Sequence, residues 1–197
     1  MSAFLGPIHF WLYNKVQLQD QLTETLLSAF PEQRDAIAAQ LDAEFGALPA
    51  GDLGDIIDES NIHGWLQTQV TRVENRLALA VSRLAADENS RQTLFAAAHT
   101  AGAAHKLDAV TPEDAFQNLQ NVLLDGMPCD HVNAVVPGIS DSFCWERIND
   151  LHSSYYTQFG ADPVLFDEIR DAWVNGMLEG TGLSYRRDGM KFSIEKR

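Results

Sequence analysis

The sequence predicts an α+β fold, with a mainly helical N-terminal two-thirds and a small antiparallel sheet of two hairpins in the C-terminal third. Three observations lead to this prediction. Up to about residue 125, apolar residues recur at alternating spacings of three and four, which is typical of helices that bury one face. Beyond that point the spacing falls to two, and the pairs Pro137-Gly138 and Asp188-Gly189 each separate two alternating stretches. With 197 residues, 45% of them hydrophobic, the chain can form one domain over 1–197 with its own core.

The first helix is predicted over 7–30. Pro7 suits its first turn, where the missing N–H would have no partner, and Pro31 ends it. One largely apolar face carries His9, Leu12, Val16, Gln19, Thr23, Leu26 and Phe30. A second, amphipathic helix follows, and Gly46 is placed to end it.

A third helix is expected to begin near Asp58 or Ser60, both good N-cap residues. Its apolar stripe consists of His63, Leu66, Val70, Val73, Leu77, Ala80 and Leu84. An alanine-rich fourth helix is predicted over about 88–106, and its small residues would allow a neighbouring helix to approach closely. A cap, a first-turn proline and an acidic residue at 111–113 begin a fifth helix, which we expect to reach about Asp125 before Gly126.

The C-terminal third is predicted to contain both hairpins. The first covers about 129–148 and the second about 183–196, with Asp188-Gly189 as a two-residue type I′ turn. Between them we expect a short helix near 149–159 and a longer one at 163–179.

The first and third helices begin with nearly the same five residues, IHFWL at 8–12 and IHGWL at 62–66. Each histidine opens an apolar stripe, so each ring is expected to point inward near a helix N-terminus, where the helix dipole favours neutral imidazole. Neutral imidazole is the form that binds a metal or haem iron. If the two helices are neighbours, His9 and His63 could converge on one ligand.

His9 and His63 are therefore predicted metal ligands, with iron or zinc as the metal and haem as the alternative cofactor. Trp11 and Trp65, two residues further along each helix, are predicted to contact the cofactor. The alternative is that both histidines are packing residues, each hydrogen-bonded to a carbonyl group.

A second candidate cluster lies on the first hairpin. Cys129 and His131 are two residues apart, so they share a face if this segment is a strand. An even-length turn at Pro137-Gly138 would bring Cys144 and Glu146 onto the same face, whereas an odd-length loop would place Cys144 opposite. Thiolate, imidazole and carboxylate together suit a soft metal or a nucleophile with its base. Cys129 and His131 are thus the predicted catalytic residues, and a solvated hairpin face is the alternative.

Further candidates come from single helical faces. His152 precedes Tyr155 and Tyr156 at helical spacing, which suits a proton donor or an aromatic pocket wall, so His152 and Tyr155 are predicted to contact a cofactor. The alternative is a half-exposed amphipathic helix. Tyr13 and Lys15 flank the first histidine as possible polar site residues, one of which is expected to reach solvent.

The charge of the chain limits its partners. Its formal charge of −14, from 28 acidic and 14 basic residues, would repel phosphate backbones and anionic lipid, so we expect neither nucleic acid nor a membrane as a partner. No apolar run approaches the roughly 20 residues that span a bilayer, and two cysteines do not make a disulfide framework. A cytoplasmic location is the expectation, and an acidic surface with apolar helix stripes would suit a homo-oligomer.

These observations predict an enzyme that binds a metal or a small molecule, with a His/Cys site between the His9 and His63 helices and the 129–148 hairpin. Redox chemistry at iron and thiol-assisted hydrolysis are the two reaction classes considered. Two alternatives stay open: a structural or partner-binding helical protein, and a non-catalytic domain that binds or senses haem or another small ligand.

Overall fold

A computed structural model describes residues 4–137 and 141–197, and it confirms the α+β class. The helices within these ranges are α1 (Pro7–Ser28), α2 (Arg34–Phe45), α3 (Leu53–Ile56), α4 (Ile62–Leu84), α5 (Glu88–Ala104), α6 (Pro112–Gln120), α7 (Ser153–Thr157) and α8 (Val164–Met177). The strands are β1 (Asn133–Val136), β2 (Ser142–Arg147), β3 (Leu183–Asp188) and β4 (Lys191–Lys196). Single 3₁₀ turns, Glu59–Asn61 and Pro128–Asp130, precede α4 and β1. Among the described helices, none is both long enough and apolar enough to cross a bilayer.

The predicted apolar faces of α1 and α4 pack against each other. All seven residues of the α1 face are buried. The α4 stripe is buried from Leu66 to Leu84, whereas the ring of His63 at the start of the helix is exposed. The expectation that both histidines point inward is therefore correct for His9 and wrong for His63, because the second residue of α4 lies at the rim of the α1–α4 interface.

The buried hydrophobic residues form two clusters. The smaller one joins the N-terminal halves of α1 and α4 with the 53–57 segment, and it also includes Leu124. The larger one fills the space between the C-terminal halves of these helices, α5, α6, α8 and the sheet. Leu124 thus packs with the first cluster, although it follows a helix that packs with the second.

The four strands form one antiparallel sheet in the order β1-β2-β4-β3. Both predicted hairpins are present, and the pairing of β2 with β4 joins them. Trp145 of β2 is buried between Phe116 of α6 and Phe192 of β4, with ring centroids 5.0 Å and 5.4 Å away. This aromatic layer attaches the sheet to the helices.

The turn of the second hairpin differs from the prediction by one residue. Asp188 pairs with Lys191, so the two-residue loop is Gly189-Met190 and not Asp188-Gly189. Gly189 has a φ of 58°, which a residue without a side chain adopts at little cost. In the first hairpin, Gly138 of the predicted Pro137-Gly138 turn lies outside the described residues.

Helix α6 ends at Gln120, earlier than the predicted Asp125. In the segment that follows, the Nη2 atom of Arg170 in α8 donates to the main-chain oxygen of Leu124 at 2.8 Å, and its Nη1 atom binds Asp125. These contacts anchor the non-helical residues 124–125 to α8. Gly126 then reverses the chain with a φ of 68°.

Helices α5 and α8 approach each other as closely as the alanine-rich sequence predicts. A Cβ atom on Gly102 would lie 2.0 Å from the main-chain oxygen of Trp173. A Cβ atom on Gly176 would lie 2.1 Å from the main-chain oxygen of His99. Only glycine fits at these two contacts.

We predict that Gly102→Ala lowers the free energy of unfolding by about 3 kcal/mol or more, because the new methyl group would force two backbones apart. Gly54→Ala is the matched control, since a Cβ atom at Gly54 in α3 would meet no atom within 4 Å. The control should be neutral or stabilising by up to about 1 kcal/mol, as expected for alanine in an exposed helix. Urea denaturation measures both, and equal midpoints for the two variants would contradict the prediction.

Candidate functional site

The two histidines of the repeated pattern meet at the start of α1 and α4. Nε2 of His9 lies 3.5 Å from Nε2 of His63, and the ring centroids are 5.5 Å apart. The main-chain N–H of Gly6 donates to Nδ1 of His9 at 2.8 Å. Because Nδ1 accepts this bond, a neutral His9 ring carries its proton on Nε2, the atom that faces His63. The arrangement is a hydrogen-bonded pair of imidazoles.

The two tryptophans of the pattern do not meet as the histidines do. The indole N–H of Trp11 donates to Oδ1 of Asn121 at 2.8 Å, and the Nζ of Lys15 lies 4.0 Å from the centre of the Trp11 ring. Trp65 packs on Tyr13, with ring centroids 5.5 Å apart. Across residues 4–137 and 141–197, no three or more His, Cys, Asp or Glu side chains are grouped to hold a metal ion.

The register of the first hairpin separates the predicted cysteine cluster. Val136 pairs with Cys144 and Ala134 with Glu146, so even positions oppose even positions. Cys144 therefore lies on the same face as Val136, so the cluster with Cys129 and His131 does not form. This is the arrangement expected for an odd-length connection, since seven residues separate the paired Val136 and Cys144.

Cys129 and His131 also lie outside the strand. Cys129 is exposed on the 3₁₀ turn Pro128–Asp130. His131 follows in the left-handed conformation with a φ of 46°, and Asn133 begins β1. This irregular segment directs His131 toward α1.

A cavity of about 250 Å³ lies between α1 and the segment from α6 to β1, and we call it the Lys15 cavity. It is lined by Ile8, Trp11, Lys15, Gln120, Asp125, Gly126, Met127, Pro128, His131, Val132 and Asn133. Of the predicted site residues, Trp11 and His131 line this cavity. His9, His63, Trp65 and Cys129 are not part of its wall.

Lys15 is the buried cation of this cavity. Its side chain is 4% exposed, and Tyr13 is also buried, so the expectation that one of the two reaches solvent is wrong. Within the described chain, the Lys15 ammonium has no hydrogen bond and no carboxylate within 4.0 Å. Burial lowers the pKa of Lys15 to about 8, and the charge of Asp125 opposes this shift.

A network of buried charges holds Asp125 on the opposite wall. Nη1 of Arg170 donates to Oδ1 of Asp125 at 2.5 Å, and Nε2 of His152 lies 3.4 Å from the same oxygen. On the other side of the ring, Nδ1 of His152 lies 3.2 Å from Oε2 of Glu74. The ring also stacks on Phe166, with centroids 3.9 Å apart.

This geometry suits a protonated His152. A neutral imidazole has one N–H, so it can donate to only one of two carboxylates, whereas imidazolium donates to both. Burial would lower the pKa of His152, but the charge of Glu74 and hydrogen bonds to both carboxylates raise it. Burial would raise the pKa of Asp125, but Arg170 and His152 hold it well below its usual range. Two positive and two negative groups thus balance inside the protein.

A second cavity of about 250 Å³ lies on the other side of Gly126, which lines both cavities. Its wall includes Glu74 together with His152 and Tyr155, the two residues of this segment that are predicted to contact a cofactor. His152 precedes α7 and is 1% exposed, so it does not lie on the half-exposed helical face considered as the alternative.

Sequence reasoning missed Glu74, Asp125 and Arg170 as parts of this site. A signal was present for two of them. Glu74 follows Val73 of the buried α4 stripe, and Arg170 follows the buried Ile169 in α8. A charged residue beside a buried stripe needs a partner of opposite charge, but its identity depends on which helices become neighbours.

Comparisons of the chain with protein-family models, with curated protein sequences and with solved structures find no significant match. The chemistry of the site is therefore inferred from the geometry of the chain's own residues.

We predict that His152 makes stability depend on pH near neutrality. Its pKa in the folded protein is raised above the ordinary 6.5, so the folded state binds this proton more tightly than the unfolded chain. The stabilisation is fully present below about pH 6.5 and is lost as the pH rises through the folded-state pKa. The free energy of unfolding should fall over that range.

Urea denaturation across this pH range measures the effect. His152→Gln should remove this part of the pH dependence, whereas His105→Gln, at an exposed position, should retain it. A His152→Gln variant with the same slope as the unsubstituted protein would show that another group is responsible.

Proposed function

We propose that this protein is an enzyme that binds a small molecule in the Lys15 cavity, between α1 and the segment from α6 to β1. The observation that carries the proposal is the buried Lys15 ammonium without a hydrogen bond or ion pair in the described chain, facing a cavity. Burial lowers the pKa of Lys15 to about 8, and ionisable groups with shifted pKa values at cavities concentrate at functional sites. A ligand in the cavity would supply the missing partner.

Groups capable of proton transfer support an enzyme over a purely structural protein. Lys15, Asp125 and His131 line one cavity, and they differ in charge and in ordinary pKa. Asp125 is fixed by Arg170 and His152, whereas His131 is exposed and free to approach a ligand. A cavity that combines fixed and adjustable polar groups is typical of small-molecule sites.

Thiol-assisted hydrolysis would employ Cys129, which adjoins the cavity wall at Pro128 but is not itself part of the wall. The Lys15 cavity favours chemistry that uses the amine and the imidazole over chemistry that uses the thiol.

Metal binding at His9 and His63 is a second candidate function. Each Nε2 atom can reach a metal ion at about 2.0–2.1 Å, and their separation of 3.5 Å allows one ion to contact both. Binding through Nε2 would move the His9 proton to Nδ1 and break the bond from Gly6. Iron, zinc or haem iron at this pair would need further ligands from solvent or from the bound molecule.

Replacing Lys15 should weaken ligand binding in the cavity. In a screen of small carboxylates, amides and carbonyl compounds by ¹H–¹⁵N NMR, we expect binders to shift the indole N–H signal of Trp11. Lys15→Met should weaken that binding roughly tenfold or more, because a hydrogen bond to a charged group contributes about 1.5–3 kcal/mol.

Lys106→Met is the matched control, since Lys106 is exposed and should leave the affinity unchanged. The signal of Trp173, buried against another part of the core, serves as an internal reference. A screen in which no compound shifts the Trp11 signal, or binding that Lys15→Met leaves intact, would refute the proposed site.

For the histidine pair, equilibrium dialysis against zinc or ferrous ion should yield about one bound equivalent, which His63→Ala removes. If the pair binds haem iron instead, the protein should show a Soret band after addition of haemin. The proposed metal site is wrong if the protein binds less than about a tenth of an equivalent of metal and stays colourless after addition of haemin. His9 and His63 would then be packing residues. His105→Ala is the control for adventitious binding to an exposed imidazole.

A further inference from the structure

We propose that the ligand of the Lys15 cavity is a small aldehyde or ketone, and that Lys15 forms an imine with its carbonyl carbon. This inference rests on the proposed function, because it names the substrate class of the same cavity. The observations behind it are the burial of Lys15, the absence of an ion pair in the described residues, and the groups that face it.

Lys15 is better suited to attack a carbonyl group than the other lysines. An amine attacks only when it is unprotonated. With a pKa of about 8, about one-tenth of Lys15 is free amine at pH 7, whereas an ordinary value of 10.5 leaves about one part in three thousand. The three remaining lysines are exposed, namely Lys106, Lys191 and Lys196.

The reaction needs no oxidant or reductant. The nitrogen lone pair of Lys15 forms a bond to the carbonyl carbon, and a proton moves from nitrogen to oxygen to produce a carbinolamine. The C–O bond then breaks, water leaves, and a carbon–nitrogen double bond forms. Counted from the ammonium, one carbonyl compound is consumed, one water is released, and the single positive charge stays on nitrogen as an iminium.

The cavity provides a partner for each stage of this reaction. Asp125 lines the same cavity, and its negative charge favours an iminium at Lys15 as it favours the ammonium. His131 is the imidazole in the cavity wall, and it can protonate the hydroxyl group that leaves as water. The Trp11 ring, 4.0 Å from Nζ, covers one side of the nitrogen and stabilises its cationic form.

The size and lining of the cavity restrict the substrate. The cavity of about 250 Å³ is smaller than the roughly 300–1,000 Å³ of sites for drug-sized ligands, which favours a small carbonyl compound. Ile8 and Val132 offer an apolar wall for a short aliphatic chain. The Nδ2 of Asn133 donates to Oδ2 of Asp125 at 2.8 Å, so its amide oxygen is the atom that can accept from a ligand. A carbonyl compound with a hydroxyl substituent matches this lining.

Reductive trapping tests the inference on the unmodified protein. The protein is incubated at pH 7 with propanal or with glyoxylate in the presence of cyanoborohydride, which reduces an imine to a stable secondary amine. Peptide mapping by mass spectrometry then measures labelling at each lysine. We expect Lys15 to be labelled at least tenfold faster than Lys106 despite its burial.

The pH profile provides a second readout. Labelling of Lys15 should rise with pH up to about 8 and gain little above it, because most of the side chain is then free amine. His131→Gln should slow labelling of Lys15 without moving its pH midpoint, because His131 acts on the leaving hydroxyl and not on the amine. Near-ultraviolet circular dichroism verifies that this variant is folded.

Two results overturn the inference and are distinguishable from failure of the proposed function. In the first, Lys15 is labelled no faster than Lys106, but compounds from the NMR screen still bind the cavity and Lys15→Met weakens their binding. Imine formation is then wrong and the proposed binding site is retained. In the second, Lys15 is not preferentially labelled and Lys15→Met does not weaken the binding of compounds from the NMR screen, so both proposals are wrong.

Discussion

The contact between Arg170 and the chain at 124–125 is the constraint on which the site depends. Arg170 is 7% exposed, so its charge requires a carboxylate, and Asp125 supplies one. The same guanidinium donates to the main-chain oxygen of Leu124, which anchors residues 124–125 to α8 beyond the end of α6. Gly126 then turns the chain back toward α1, and the two cavities form on either side of this turn. A packing requirement of α8 therefore places a carboxylate opposite Lys15.

The buried arginines and Lys15 of the described chain differ in whether a carboxylate pairs with them. Arg76 binds Asp20 and Asp42 at 3.2 Å and 2.7 Å, and Arg147 binds Asp167 at 2.8 Å. Arg170 follows the same rule with Asp125. Lys15 departs from it, since it faces a cavity with only an aromatic ring close to its nitrogen. A protein stabilised by matched buried charges thus retains one charge whose partner is missing, and this contrast makes Lys15 the centre of the proposed site.

The sequence predicted much of the fold and a smaller part of the site. The α1 and α4 stripes, the hairpins and the glycine-lined approach of α5 to α8 follow from spacing, because periodic burial is a local property of helices and strands. The His9–His63 contact was predicted from a repeated pattern, and it requires only that two similar helices pack side by side. The face of Cys144 stayed open in the sequence, because one residue in the length of the connection reverses the faces of a strand. The anchoring of residues 124–125 was not predictable, since the side chain that binds Leu124 lies 46 residues further along the chain.

The sequence by itself determined the fold class, the helix faces and the presence of imidazoles at the start of two helices. These features depend on residue type and spacing within single elements, where the physics is local. Only the tertiary structure decided which charges are paired and which side chain faces a cavity. Lys15 and Arg170 are both cations on amphipathic helices, and nothing in their local sequence separates them. Their roles differ because Asp125 lies within hydrogen-bonding distance of Arg170 and across a cavity from Lys15.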